Sequence, residues 1–477
     1  MRWIHPLSAG TDVRAEVLGA KGFGLIELHR LGLPVPPGFV IGTDACRAFL
    51  RDGRPPDDLA GELATALGAL ETATGRRLGA PVRPLVVSVR SGAGVSMPGM
   101  MNTILNLGLT DAATAGLAAE TGDPAFADDS RRRFRAGFAA AAGCPAPDDP
   151  LRQLDLAVRA VFASWNTPRA VTYRSLHGIP DEPGTAVTVQ AMVFGNRDSR
   201  SGTGVAFSRD PNTGEPLPFG EVLFGCQGED VVLGTATTDP LSELAAREPV
   251  VWQELLAALG RLEQHYLDAC SVEFTVETGR LWLLQVRPGG LSARAAIRVA
   301  VDLADAGTIS RPEAVRRISP RQLESARTPR MQITGPRTTL TRALGACPGV
   351  ATGRVATTPE AAVHLAATAP VILVRPHTSP LDLPGLAAAA GVVTATGGPT
   401  SHAAVVARAL AKPAVVSATD LTITPAAVHT PTHTLPEGTL ITIDGTTGEV
   451  ALGQPAIAPA APDPHLRRLL DCAAEQA

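Results

Sequence analysis

Aromatic side chains are scarce in this chain: Phe, Trp and Tyr make up 4% of its 477 residues. So few flat rings exclude the stacking platforms on which single-stranded nucleic acid is held. Excess positive charge is missing too. The formal net charge is −4 at pH 7 and no basic stripe interrupts the sequence, so neither nucleic acid nor an anionic membrane surface is an expected partner. No apolar run reaches the ~20 residues that cross a bilayer, and the opening Met1-Arg2-Trp3-Ile4-His5 has no signal-peptide core. The six cysteines (Cys46, Cys144, Cys226, Cys270, Cys347, Cys472) lack C-x-x-C spacing. That excludes a zinc knuckle or disulfide frame and predicts reduced thiols in a cytoplasmic protein. Lysine is the last scarcity: Lys21 and Lys412 stand against 40 arginines. A chain that uses arginine almost everywhere, yet keeps lysine among glycines at position 21, implies a site that wants a compact ammonium. A surviving surface lysine is the plain alternative.

What the sequence does contain is concentrated in a few segments. Gly397-Gly398-Pro399-Thr400-Ser401-His402-Ala403-Ala404-Val405-Val406-Ala407-Arg408 sets one histidine at the mouth of an Ala/Val helix, behind a Gly-Gly-Pro turn. Thr400 or Ser401 is the expected N-cap. The helix terminus would favour a dianionic group on the ring by roughly 0.3–1 kcal/mol. Neutral imidazole can accept a phosphoryl group near pH 7, because its ordinary pKa is about 6.5. The plain alternative is a capped helix that happens to begin with histidine. Arg408 is offset by about 240° around the helix and is not assumed to face the same group.

At the N-terminus, Gly19-Ala20-Lys21-Gly22-Phe23-Gly24 precedes an expected short helix from Leu25 to Leu31. Val86-Val87-Ser88-Val89-Arg90 reads as a buried strand, followed by the segment Ser91-Gly92-Ala93-Gly94-Val95-Ser96-Met97-Pro98-Gly99-Met100-Met101-Asn102-Thr103. Farther on stand Ser164-Trp165-Asn166-Thr167-Pro168-Arg169-Ala170, Val189-Gln190-Ala191-Met192-Val193, Ser201-Gly202-Thr203-Gly204, Gln227-Gly228-Glu229-Asp230 and Glu273-Phe274-Thr275-Val276. In this order the segments resemble the pyruvate, phosphate dikinase family. The earlier ones are similar to its ATP-grasp domain, and the His402 segment to its phosphohistidine domain. Full-length members continue into a barrel that binds pyruvate or phosphoenolpyruvate, and this sequence stops before it.

The expected fold is therefore a multidomain α/β and α+β chain. Residues 1–290 form an ATP-grasp nucleotide-binding domain, helical from Ala112 to Phe162 and β-rich from Ala186 to Gln285. Residues 291–342 are a helical linker and flexible hinge. Ala296, Ile297, Ala300, Val301 and Ala304 fall at helical spacing up to Gly307, and Ser310-Arg311-Pro312-Glu313 reads as a capping box. Arg327 to Arg342 has no apolar period and could span up to roughly 50 Å if extended. Residues 343–453 form a swivelling phosphohistidine domain of β/β/α type, and 454–477 are a C-terminal tail.

The resemblance implies roles for particular residues. Lys21 and Arg90 are cations over the phosphates, and Gly99, Met100 and Met101 offer backbone amides to them. Thr203 and Gly204 belong to a loop folding over phosphate. Gln190 and Met192 lie on the adenine side, and Gln227 and Glu229 near the ribose. The hairpin from Ser271 to Arg287, turning at Thr278-Gly279-Arg280, sets Glu273 opposite Gln285 and Ser271 opposite Arg287. Glu273 and Gln285 would offer hard oxygen to Mg²⁺, with Arg287 on the transferring group; a solvent-facing polar strand is the plain alternative. Ser271 departs from the family, whose members commonly carry aspartate there. Thr400 matches a regulatory phosphorylation position of some relatives.

His402 would then attack the β-phosphorus of ATP and release AMP. Inorganic phosphate would cleave the pyrophosphoryl-histidine, leaving phosphohistidine and pyrophosphate. The implied partners are ATP, phosphate and a phosphoryl acceptor on another polypeptide, with a homodimer left open. Two other readings remain: a kinase of a free metabolite or natural product, and a regulatory protein that binds ATP without transfer.

Overall fold

The computed structural model describes residues 2–95, 97, 99–228, 230, 238–327, 330–331, 338–458 and 463–474. It is a mixed α/β chain with two five-stranded sheets and one eight-stranded sheet among the described residues. By internal contacts it divides into two compact units, one of residues 1–202 with 274–286, the other of 203–273 with 287–477. This division crosses the sequence-based one, because residues 203–273 group with the C-terminal half.

In the first unit an antiparallel sheet runs in the order Ile4–Pro6, Gly38–Ile41, Thr185–Ala191, Val87–Ala93, Thr103–Leu107. The inner strands Thr185–Ala191 and Val87–Ala93 mix Val and Ala with Thr, Ser, Gln and Arg, and most of these residues are buried. Helices Asp111–Thr121, Pro124–Ala142 and Pro150–Ala163 occupy the region expected to be helical. The breaks between them start new helices: Asp123 accepts from the Phe126 amide and Asp149 from the Leu151 amide, each with proline at the first helical position. Phe126, Phe134, Phe138, Leu154 and Phe162 pack into the same core as Val87, Val89 and Val187.

The glycine-rich segment at residues 19–24 differs from expectation. It lies inside the helix Ala15–Arg30, which is broken only at Gly19 (φ 66°, ψ 161°). Packing overrides the weak helix propensity of glycine here. A Cβ on Gly22 would meet Val40 at 2.9 Å, and one on Gly24 would meet Val286 at 3.1 Å.

In the second unit the eight-stranded sheet has the order Thr339–Arg342, Glu449–Leu452, Leu440–Asp444, Val350–Ala356, Val371–Arg375, Gly391–Thr394, Ala414–Val416, Leu344–Cys347. The central strands Val350–Ala356, Val371–Arg375, Gly391–Thr394 and Ala414–Val416 are parallel. Parallel neighbours need crossovers, and the helices Pro359–Ala366, Leu383–Ala388 and His402–Leu410 fall in those connections. The second five-stranded sheet runs Asp239–Pro240, Phe219–Phe224, Gly202–Phe207, Cys270–Glu277, Arg280–Pro288.

The linker forms helices Ala293–Asp305, Arg311–Arg317 and Pro320–Ser325. Only half of the expected capping box at Ser310 is present. Ser310 accepts from the Glu313 amide, whereas the Glu313 carboxylate pairs with Arg316 and Arg317. The expected hinge is also shorter at its far end, because Thr339–Arg342 is already an edge strand of the eight-stranded sheet. Residues 328–329 and 332–337 of that hinge lie outside the described residues.

Candidate functional site

Three features of the first unit converge around Gly92. The kink at Gly19 brings its backbone so close that an added Cβ would sit 1.7 Å from the Gly92 carbonyl oxygen. Lys21 follows on the next turn, its Cβ 3.3 Å from where a Gly92 Cβ would be. Arg90 lies two residues before Gly92 on the same strand, donates to the Leu284 carbonyl at 3.2 Å, and sits in register with Thr103. The chain between Ala93 and Thr103 must therefore turn back beside Arg90. In that turn Gly99 has φ 72°, Met100 is fully buried and its amide donates to the Met97 carbonyl. Lys21, Arg90 and the Gly99–Met101 turn are thus gathered locally, although residue 90 is 69 positions from residue 21.

A cleft of about 320 Å³ opens elsewhere in the same unit. It is lined by Pro36, Met192, Phe194, Arg197, Glu277 and Trp282, among others. Apolar walls with a few charged groups suit a small planar ligand. Met192 lines it, and its amide donates to the Val86 carbonyl. Gln190 does not line it: this buried side chain donates to the Pro36 carbonyl at 2.9 Å, so its amide serves the fold.

The remaining phosphate and metal candidates fall on the second five-stranded sheet. Thr203 and Gly204 are buried residues of the strand Gly202–Phe207, so the expected loop is a strand there. The turn at Thr278 and Gly279 has two residues, both at positive φ, and Arg280 already belongs to the strand. Glu273 pairs with Arg287 at 3.2 Å, and the Ser271 hydroxyl donates to the Arg287 carbonyl at 3.4 Å. Gln285 is buried on the strand Arg280–Pro288. A carboxylate and an amide oxygen are the hard donor types that Mg²⁺ takes. No cluster of three His, Cys, Asp or Glu side chains is found among the described residues. Gln227 is buried, its amide donating to Asp230. Glu229 lies outside the described residues.

His402 is the first residue of the helix His402–Leu410 and is only 7% exposed. Its Nδ1 lies 3.2 Å from the Thr378 hydroxyl. Its Nε2 is buried with no hydrogen-bond partner among the described residues. Burial pulls the ring's pKa down to about 4, the Asp382 carboxylate pulling weakly the other way. The imidazole is therefore neutral at pH 7, with one nitrogen oriented and the other uncommitted. The expected cap is absent. Ser401 occupies the N-cap position, but its hydroxyl accepts from no amide. Thr400 is taken by Glu221, whose carboxylate accepts from the Thr400 amide at 3.0 Å and from its hydroxyl. A charge-assisted bond of that kind outcompetes a neutral cap. Gly398 is equally close: an added Cβ would lie 1.4 Å from a Glu221 oxygen. Arg408 is buried and donates to the Ala346 carbonyl at 3.1 Å.

Glu221, Thr378 and Asp382 were not found from sequence. Glu221 is one polar residue of a strand 179 positions from Thr400, and no local pattern marks it. Thr378 and Asp382 sit in a Thr-Ser-Pro-Leu-Asp stretch whose visible signal is the capping box of Ser379 and Asp382.

Comparison with known proteins gives two family matches. The family described as "Pyruvate phosphate dikinase, AMP/ATP-binding domain" matches residues 52–252. "PEP-utilising enzyme, mobile domain" matches residues 367–448, which include His402. Over 95% of this chain, the pyruvate, phosphate dikinase of Rhizobium meliloti (strain 1021) is 40% identical and is covered over 58% of its own length. For pyruvate, phosphate dikinase 2 of Zea mays the figures are 41% and 57%, and for the pyruvate, phosphate dikinase of Clostridium symbiosum 38% and 58%. The chain thus spans little more than half the length of these relatives.

Proposed function

Because the chain belongs, over the stretch it spans, to the pyruvate, phosphate dikinase family, we propose that it performs the ATP and phosphate half of a dikinase reaction. On this reading residues 1–290 are an ATP-grasp nucleotide-binding domain and residues 343–453 a swivelling carrier. The lone pair on His402 Nε2 attacks the β-phosphorus of ATP, and the bond to the α-phosphate oxygen breaks to release AMP. An oxygen of inorganic phosphate then attacks the terminal phosphorus of the pyrophosphoryl-histidine. Pyrophosphate leaves and one phosphoryl group stays on Nε2, for delivery to an acceptor.

The observation that carries this reading is the state of the His402 ring. Thr378 holds Nδ1 while Nε2 has no partner among the described residues, and burial keeps the ring neutral. Neutral nitrogen is the nucleophilic form. Lys21 and Arg90 would carry charge compensation, and the Gly99–Met101 turn would present amides to phosphate. Glu273 and Gln285 would hold Mg²⁺, which when bound neutralises polyphosphate charge. Met192 would meet the base in the cleft it lines. The six free cysteines fit a reducing, cytoplasmic setting.

The test is incubation with β-labelled ATP, Mg²⁺ and phosphate. Acid-labile, base-stable label on the protein, lost in His402→Ala, supports the reading. Equal labelling of that variant removes it. One observation favours a second reading, ATP binding without transfer: Ser271 carries no charge beside Glu273. Tight ATP binding with no AMP formed, and AMP formation restored by Ser271→Asp, would favour it.

A further inference from the structure

The segment Ser164-Trp165-Asn166-Thr167-Pro168-Arg169-Ala170 has no role in the reaction as derived so far, yet it reaches the loop beside Arg90. The Arg169 Nε donates to the Met100 carbonyl at 2.9 Å, and its Nη2 donates to Asn102 Oδ1 at 2.7 Å. Asn102 is held from three further directions. Its amide donates to the Ser164 hydroxyl at 3.1 Å, and its Nδ2 donates to the carbonyls of Ala141 (3.1 Å) and Ala160 (3.5 Å). Ser164 in turn donates to the Val161 carbonyl at 2.7 Å. The ends of helices Pro124–Ala142 and Pro150–Ala163 are thereby fastened to the point where the loop enters the strand Thr103–Leu107, opposite Arg90.

We infer that Arg169 is a positioning residue for phosphate: through Met100 and Asn102 it fixes the backbone of the Gly99–Asn102 turn so that the amides of Gly99 and Met101 hold the inorganic phosphate, those of Met100 and Asn102 already donating within the chain. The inference rests on the proposed dikinase half-reaction for the identity of the anion, but not for the mechanical link. A planar guanidinium presents two donors in a fixed fork to the carbonyl and the amide oxygen, an orientation that an ammonium on a flexible stem does not fix. Without it the turn keeps glycine freedom at residue 99 and loses the donor that engages the Met100 carbonyl. Preorganised backbone donors act only while their geometry is fixed.

The test compares the full chain with Arg169→Gln and Arg169→Lys. In Arg169→Gln, hydrogen exchange at the amides of residues 100–102 should rise about tenfold, with exchange in the strand Thr185–Ala191 and the melting temperature unchanged. The apparent KM for phosphate in single-turnover pyrophosphate release should also rise about tenfold, the size of one charge-assisted hydrogen bond, while the apparent KM for ATP in AMP release stays within twofold. Arg169→Lys should fall between the two. Unchanged exchange and phosphate KM would overturn the inference. So would a parallel loss of kcat, both KM values and melting temperature, which marks a merely structural residue. If the unsubstituted protein forms no AMP, the dikinase reading fails by itself, and the exchange measurement still decides whether Arg169 holds the turn.

Discussion

A histidine removed from water gives up its charged form before its neutral one, and His402 is a strong case. Its pKa in the folded chain is about 4 against an ordinary 6.5. The sign follows from proton counting. Between these values the unfolded chain binds the proton that the folded chain refuses, so the stability from neutral burial is complete above pH 6.5 and is lost as pH falls toward 4. For chemistry the same burial keeps the nucleophile unprotonated. Single-turnover labelling by β-labelled ATP should hold its rate from pH 7.5 down through pH 6, with its acid limb between pH 6 and 4. A limb at or above 6.5 would show that the reacting ring is in water. Thr378 sets which nitrogen is free. If Nδ1–H donates to the Thr378 hydroxyl, Nε2 keeps its lone pair. Thr378→Val leaves that N–H buried and unpaired, a change of about 1 kcal/mol. Labelling should slow by about three- to tenfold, with ATP affinity unchanged by equilibrium dialysis.

At the scale of elements, the two lysines separate what sequence could reveal from what it could not. Lys21 stands among glycines, a pattern visible locally, and packs beside Gly92. Lys412 gave no such cue, yet its ammonium is fully engaged. It donates to the carbonyls of Leu386, Ala387 and Ala389, at the end of the helix Leu383–Ala388. Those are the carbonyls a helix leaves unpaired, and a cation there also meets the negative end of its dipole. Three donors on one small centre match three converging oxygens; a planar fork does not. Lys412→Arg should therefore cost about 1–2 kcal/mol, read as a lower urea midpoint at unchanged m-value. An unchanged midpoint would mean the helix end is satisfied by water. Legibility divides along the same line. Periodicity located the helix Ala293–Asp305, and apolar runs located the strands Val371–Arg375, Gly391–Thr394 and Ala414–Val416, because these signals are local. The kinked helix over residues 15–30 was misjudged, since its glycines serve packing against Val40 and Val286. The hold of Glu221 on Thr400 was invisible because it joins distant segments.

Across the whole molecule, the residues after Gly453, expected only as a C-terminal tail, complete a core. The helix Pro464–Ala474 places Leu466 and Leu469, 3% and 2% exposed, against Ile297, Val301, Ile309, Ala314 and Ile318 of the linker helices. Ion pairs line its border: Arg294 with Asp463 at 3.0 Å and Arg468 with Asp305 at 2.6 Å. The two kinds of contact differ in weight. Truncating a buried leucine removes its transfer energy and leaves a cavity, about 2–5 kcal/mol, whereas an exposed pair contributes about 0–1 kcal/mol. Leu469→Ala should therefore destabilise this unit several times more than Arg468→Ala. Native-state hydrogen exchange can localise the effect, because protection should fall in the linker helix Ala293–Asp305 while the strand Thr185–Ala191 of the other unit stays protected. If Leu469→Ala leaves the linker amides unchanged, the helix is an appendage. If Arg468→Ala matches it, charge holds the helix in place and the leucines do not.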